Sequence, residues 1–430
     1  MLTIGLFCTA VTSAPPKNQN AKSVQLANIA NLKMLNNNTI HHDGTLRAVE
    51  NQGFSTYQHS SKDEHRHNTN TPTAKISITN LLHNLTVLQS HAPQSKMIAM
   101  VKANGYGHGI VHIAKHLEHK AYGLGVARIG EALALREAGI NAPIMLAEGV
   151  FAKDDLEICA QKNFWPVFHN DLQLQLLQNS QLSKQIKAWL KINSGMNRLG
   201  FDLTDTKNAY QILSANKNIV QPIGIMSHFA CADDHAHPLN NLQIANFKNF
   251  TTNLVGEKSF NNSAAIFNFK NTNYDVIRPG LSLYGASPLN NKSAGELNLK
   301  PVMTLQTKII AIHNLEKGVA IGYGARFVCN KNIKIGVAAI GYGDGYSRTM
   351  HDGTPILVGG KKCSLAGKVS MDMITIDLSN NDNAQIGDEV ILWGEGLPID
   401  EVKNFSACSA YDLLCGVQNR VWFDYHTKPC

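Results

Sequence analysis

From Ala74 onward the chain alternates short β-branched or apolar runs with stretches of helical spacing, and this alternation constrains the fold more than any other feature. Two parallel strands need a crossover between them, usually a helix, so repeated βα units build a parallel sheet. Eight candidate strands fall at residues 97–101, 123–127, 143–147, 165–168, 186–192, 223–226, 259–261 and 274–277. The segments between them carry the helical period; Ile129, Leu133, Arg136 and Ala138, following Arg128, recur on one face. Eight units within about 200 residues are the pattern of a closed (β/α)8 barrel, a TIM-like α/β fold. An open doubly wound sheet is the competing arrangement, but no GxGxxG run follows the first strand to form a dinucleotide-binding turn.

Near Asn298 the texture changes. Short Val/Ile/Leu-rich runs at 302–312, 333–340, 355–358, 373–378 and 389–392, punctuated by Gly, Asn and Asp, show little helical period before Glu401. They predict a smaller, mostly β C-terminal domain over 298–430, with the barrel taking 74–297. Two domains suit a chain of 430 residues, which is too long for one ordinary core. The first 73 residues hold ten asparagines and few aromatic residues, so they lack the apolar surface that offsets chain entropy and are expected to be a disordered tail. Residues 1–14 form a short apolar run ending in Thr12, Ser13 and Ala14, which looks like a signal-peptide core with a small-residue cleavage site but lacks the basic segment that precedes one. A cytoplasmic location is the expectation, with the periplasm as the alternative if that run acts as a signal.

Composition excludes several function classes. Thirty-nine basic against 32 acidic residues give a net charge of +7, spread without a basic block, so nothing points to nucleic acid. No apolar run reaches the roughly 18 to 20 residues that span a bilayer. The eight cysteines are scattered from Cys8 to Cys430 without a CxxC pair, a distribution that supports neither a metal centre nor a disulfide framework. The histidines of the tail, His41, His42, His65 and His67, read as solvated side chains.

In a closed barrel the chemistry gathers at the C-terminal ends of the strands. Lys102 follows the first candidate strand, Arg198 comes shortly after the fifth, Ser227 and His228 end the sixth, Asn262 and Ser263 follow the seventh, and Arg278 ends the eighth. A lysine, two arginines, a histidine and hydroxyls on one rim suit an anionic, carbonyl-bearing cofactor such as pyridoxal phosphate.

The run MVKANGYGHG at 100–109, which holds Lys102 and Tyr106, closely resembles the cofactor-lysine motif of the alanine racemases. Further stretches are similar to that family and follow its order: NSGMNRLG at 193–200, SHFA at 227–230, NSAA at 262–265 and RPGLSLYG at 278–285 in the barrel. The β domain adds GYGA at 322–325, IGYGDG at 340–345 and GKVSMDM at 367–373, so the resemblance covers about residues 74 to 425. It implies a pyridoxal 5'-phosphate-dependent isomerase that interconverts L- and D-alanine by a two-base mechanism, supplies D-alanine for peptidoglycan, and works as a homodimer with shared active sites.

The same resemblance assigns roles. Lys102 forms the Schiff base with the cofactor aldehyde and serves the D-alanine face, while Tyr323, from the partner subunit, serves the L-alanine face. Two bases are needed because the α-proton leaves one face and returns on the other. A free phenol ionises near pH 10, so Tyr323 needs cationic surroundings, and His228 is implied to contact both that tyrosine and Arg278. Arg278 would face the pyridine nitrogen and, holding its proton above about pH 12, donate a hydrogen bond without protonating it. The weaker electron sink that results discourages transamination.

Arg198 is implied near the cofactor's phenolic oxygen and the substrate carboxylate. Lys191 matches a position where some members carry a carbamylated lysine that orients this arginine. Tyr106, Ser263 and the backbone of Gly280 and Leu281 resemble the phosphate cradle. Tyr342, Met371 and Asp372 resemble substrate-side residues contributed across the dimer, the Met371 amide receiving the carboxylate. Asn419, before Arg420, stands where some relatives have an entrance tyrosine, so a broad-specificity amino acid racemase is the nearest alternative. A noncatalytic pyridoxal-phosphate-binding barrel is the distant one; it would lack the domain that carries Tyr323, Met371 and Asp372. No metal is expected.

Overall fold

The computed structural model describes residues 71–427. The signal-like run and all but the last three residues of the expected tail lie outside the described residues; of those three, Thr71 to Thr73, the last begins β1 (Thr73–Ser77).

Eight parallel strands close into a barrel: β2 (Lys96–Met100), β3 (Gly123–Val126), β4 (Ile144–Leu146), β5 (Phe164–Phe168), β6 (Trp189–Lys191), β7 (Gly224–Met226), β8 (Lys258–Ser259) and β9 (Val276–Ile277), with β9 pairing back onto β2. Mostly buried on both faces, they read in sequence largely as apolar runs, with β8, Lys258 and Ser259, the exception. Six are shorter than expected, β2 is shifted by one residue, and β5 begins one residue earlier. The run at 186–192 narrows to β6, with Ile186 and Ile192 left as isolated bridges to Ile219 and Phe201. β8 and β9 share a single register pair, Ser259 with Val276. Barrel strands tilt against the axis, so neighbours overlap over only a few residues.

Helix Ile129–Glu137 shows how the shell packs. Its fully buried positions are Ala132 and Leu135, while Ile129 and Leu133 are half-buried, so the inward face is rotated from the expected stripe.

At the N-terminal mouth of the barrel, the Glu257 carboxylate accepts from Lys187 at 2.5 Å, Lys96 at 2.7 Å and Tyr122 at 3.0 Å, and the Lys187 ammonium sits 4.5 Å from the Trp165 ring centre. Conservative energetics give such a cation–π contact about 0.5–1 kcal/mol. With this mouth plugged by its own side chains, the opposite rim is left for chemistry.

The C-terminal domain is built on β10 (Met303–Leu315), which pairs with β17 (Glu389–Trp393) near its start and β13 (Ile333–Ala338) near its end. Through β14 (Pro355–Val358), β15 (Lys361–Leu365) and β16 (Ile374–Asp377) the order β13-β16-β15-β14-β17-β10 returns on itself. An irregularity at Ile309/Ala311 lets the long strand bend. A separate ribbon, β11 (Ala320–Ile321) and β12 (Phe327–Val328), carries the turn Tyr323–Ala325.

The expected division at Asn298 is not clean. β1 pairs antiparallel with β10 (Thr73 with Gln306) and parallel with β18 (Trp422–His426) (Thr73 with Trp422), so the chain enters through the β domain before building the barrel.

Candidate active site

Lys102 is the second residue beyond β2, and the Val101 N–H donates to Gly125 O at 2.8 Å, tying this corner to β3. The five residues after the lysine all take left-handed backbone: Ala103 (φ 53°), Asn104 (55°), Gly105 (64°), Tyr106 (52°) and Gly107 (81°). For a residue with a Cβ each such conformation costs about 1–2 kcal/mol. The turn is held by bonds from Gly105 N to Val101 O (2.8 Å), Gly107 N to Ala103 O (3.0 Å) and Ile110 N to the Asn104 side chain (2.9 Å). Below it, fully buried His108 donates from Nδ1 to Tyr106 O at 2.8 Å; burial pushes its pKa down to about 4 and keeps it neutral.

Just past β9, the strand that closes the barrel beside β2, Arg278 is buried, with Nη1 on Ser259 Oγ and Nη2 on Ser227 O at 2.6 Å. Nε has no hydrogen-bond partner among the described residues. Burial pushes the guanidinium down to about 10, below the range expected from its type, yet it stays charged at neutral pH. Its Nη2 lies 3.5 Å from His228 Nδ1. Because an arginine can only donate, Nδ1 is the acceptor and the ring proton is assigned to Nε2. Burial first, then Arg278, Lys191, Arg198 and Lys102, push His228 well below the usual histidine range. The expectation of a cationic neighbourhood for the tyrosine base therefore narrows: Arg278 carries the charge and His228 is neutral.

Lys191 ends β6 and is buried, its pKa pushed down to about 8 by desolvation and then by Arg278, Arg198 and Lys102. Arg198 is exposed beyond it and forms no hydrogen bond or ion pair among the described residues. Four basic side chains thus converge with one opposing carboxylate felt at Lys191, that of Glu148.

Between Arg278 and the lysine turn lies a polar cradle. Ser263 Oγ accepts from Gly280 N at 2.9 Å and Ser282 N at 3.3 Å. Tyr106 stacks on Tyr284 at 4.8 Å, and a Cβ at Gly280 would fall on the Tyr106 hydroxyl, so only glycine fits beneath it. The buried Ser282 Oγ has no partner.

The remaining expected residues stand in the β domain. Tyr323 is 69% exposed, Met371 52% and Tyr342 36%. Tyr342 N and Gly343 N donate to Ser370 O (3.0 Å) and Met371 O (2.9 Å), fixing the two loops together, while the Met371 N–H donates to nothing among the described residues. Asp372 is gripped by Arg420 at 2.7 Å, and Arg420 also holds Asp344 at 2.7 Å. Asn419 beside it is exposed.

One chain thus brings together Lys102, Arg278, His228, Lys191 and Arg198 on the rim, and Tyr106, Ser263 and Gly280 in the cradle. It does not bring Tyr323 to them: no hydrogen bond, ring contact or ion pair among the described residues joins it to the barrel. Sequence reasoning missed Ser259, which positions Arg278, and Tyr411, whose ring lies 6.1 Å from Tyr106. A serine inside a short strand carries no signal of its own, and Tyr411 sits in the other domain, on helix Ala410–Cys415.

A closed barrel with its reactive side chains on the C-terminal rim and a β domain appended defines a two-domain barrel enzyme. Two family models match: alanine racemase, N-terminal domain, over residues 76–288, and alanine racemase, C-terminal domain, over 302–425. The chain is 45% identical over 359 residues to the alanine racemase of Coxiella burnetii, covering 82% of this chain and 98% of the relative. It is 45% identical over 353 residues to that of Pasteurella multocida, with the same coverage. Among solved structures, the biosynthetic alanine racemase of Pseudomonas aeruginosa superposes with a TM-score of 0.80 at 37% identity, over 83% of this chain and 99% of that one. The chain belongs to the alanine racemase family, a family of pyridoxal-phosphate-dependent isomerases, and its activity is the interconversion of L- and D-alanine.

Proposed function

We propose that this chain holds pyridoxal phosphate on its barrel rim and racemises alanine with Lys102 and the partner subunit's Tyr323 as the two bases, in a homodimer. The cradle carries the reading. Ser263 Oγ, the Tyr106 hydroxyl, a glycine backbone that no side chain could replace, and the unpartnered Ser282 Oγ suit a phosphate, and the free Nε of Arg278 suits the ring nitrogen. Bound cofactor supplies an aldehyde for the lysine or the substrate amine and draws electrons from Cα.

The chain's own residues do the rest. Lys102 Nζ takes or returns the proton on one face of Cα. The partner subunit's Tyr323 acts at the other, facing the Arg278 charge and the Nε2–H of neutral His228. Arg198 and the Met371 amide receive the substrate carboxylate, and Arg420 keeps Asp372 in place. The exposure of Tyr323, 69%, and of Val328, Met371 and Met373 in the same domain supports a partner covering them. The proposal includes a cytoplasmic site supplying D-alanine for peptidoglycan; processing near Ala14 with periplasmic activity overturns that part.

The test joins base assignment to assembly. Borohydride should fix the cofactor on Lys102, and Lys102→Ala should abolish the linkage. Lys102→Ala and Tyr323→Phe homodimers should each be nearly inactive, while verified mixed dimers, with one site doubly defective and one intact, recover about half the wild-type turnover per dimer. Tyr323→Phe should still exchange the α-proton of D-alanine with deuterated solvent faster than that of L-alanine. Linkage to another lysine removes the cofactor assignment, and mixed dimers without activity remove the shared site.

A further inference from the structure

The turn after Lys102 is left-handed over five residues and strained at the three that carry a Cβ, Ala103, Asn104 and Tyr106, yet it must present the lysine in one orientation. Its outer members are held by side chains already described: Asn104 by its own bond to Ile110 N, and Tyr106 by His108 and Tyr284. Ala103, bonded directly to Lys102, is held from elsewhere. Its N–H donates to Glu131 Oε1 at 2.7 Å, while Glu131 Oε2 accepts from Ala127 N at 2.8 Å and Arg128 N at 3.2 Å.

We propose that Glu131 is a positioning residue for the cofactor lysine, its carboxylate clamping the strained turn after β2 to the corner after β3 through the Ala103 N–H. The inference rests on Lys102 being the cofactor lysine. One oxygen is enough to cap helix Ile129–Glu137, and Oε2 does that by accepting at the helix entry. The other oxygen reaches a residue 28 positions earlier in the chain. Bonds from N–H to an ionised carboxylate are short and strong, and they constrain direction as well as distance. Among the described residues Glu131 is the one side chain that bonds to Ala103. Because Ala103 is exposed, water can replace the lost bond, so removing the clamp acts on lysine placement more than on folding.

The experiment compares wild type, Glu131→Ala, Glu131→Gln and the double variant Ala103→Gly/Glu131→Ala, each loaded with cofactor to equal occupancy. Misplacing a reacting group by about 1 Å costs up to about 100-fold in rate. Glu131→Ala should therefore lower kcat by about 10- to 100-fold with KM for alanine within about twofold, and slow borohydride fixation at Lys102, followed by peptide mapping, in parallel. Glu131→Gln should fall between, since its amide offers an acceptor to one set of donors and opposes the other. Ala103→Gly should restore part of the loss, because glycine adopts left-handed backbone without strain. A wild-type fixation rate and kcat in Glu131→Ala, or a loss that Ala103→Gly leaves untouched, reduces Glu131 to a helix cap and overturns the proposal. Wild type fixed on Lys102 alongside an unaffected Glu131→Ala sinks this inference alone; wild type not fixed there sinks the Lys102 assignment first.

Discussion

Lys191 offers the sharpest test of the electrostatics of the rim. Burial, then the charges of Arg278, Arg198 and Lys102, lower its pKa from an ordinary 10.5 to about 8. Between those values the folded chain binds fewer protons than the unfolded chain, so stability rises with pH across the window. Below pH 8 both states are charged and the folded protein carries the whole penalty. At about 1.4 kcal/mol per pH unit the penalty is about 3 kcal/mol. Lys191→Met keeps the aliphatic stem and removes the charge. In cofactor-free protein it should exceed wild type in stability by that order at pH 7, with the advantage shrinking toward zero near pH 10. The assay is urea unfolding followed by tryptophan fluorescence in buffer free of carbon dioxide, at pH steps from 7 to 10. A difference that is flat or grows with pH would refute the argument. Near pH 8 about half of the amine is neutral and open to carbamylation. Added bicarbonate should then stabilise wild type, by placing an anion among the three cations, and leave Lys191→Met unchanged.

Gly280→Ala should drive its Cβ into Tyr106 and lift that ring from Tyr284. Overpacking of this kind costs about 1–3 kcal/mol, and cofactor titration should show at least about tenfold weaker binding; unchanged affinity would remove Tyr106 and Gly280 from the cradle. Adding Tyr106→Phe should relieve little, because the ring carbon Cζ itself lies 2.8 Å from the new Cβ. Removing residues 1–70 should leave turnover within about twofold, whereas removing residues 1–77 takes β1 out of its place between β10 and β18 and should abolish soluble protein; equal yields from the two truncations would show that β1 is dispensable.

Sequence pattern alone located all eight barrel strands and five of the β-domain strands, because a strand buried on one or both faces shows apolar or alternating runs whatever its partner. From that order alone, Lys102, His228 and Arg278 had to lie on one rim, since a residue just past a barrel strand has nowhere else to go. The resemblance supplied their roles. Pairing over long separations was not legible. β1 is five residues whose partners lie at Met303–Leu315 and Trp422–His426, and a strand that short has no local mark of the sheet it joins. Nor could the sequence show that His228 is neutral, that Lys191 ionises near pH 8, or that Glu131 reaches Ala103. Each depends on charge and burial summed over residues brought together from several strands. Local order along a chain follows from its own side chains, but the dielectric and the field at a site exist only once the barrel has closed.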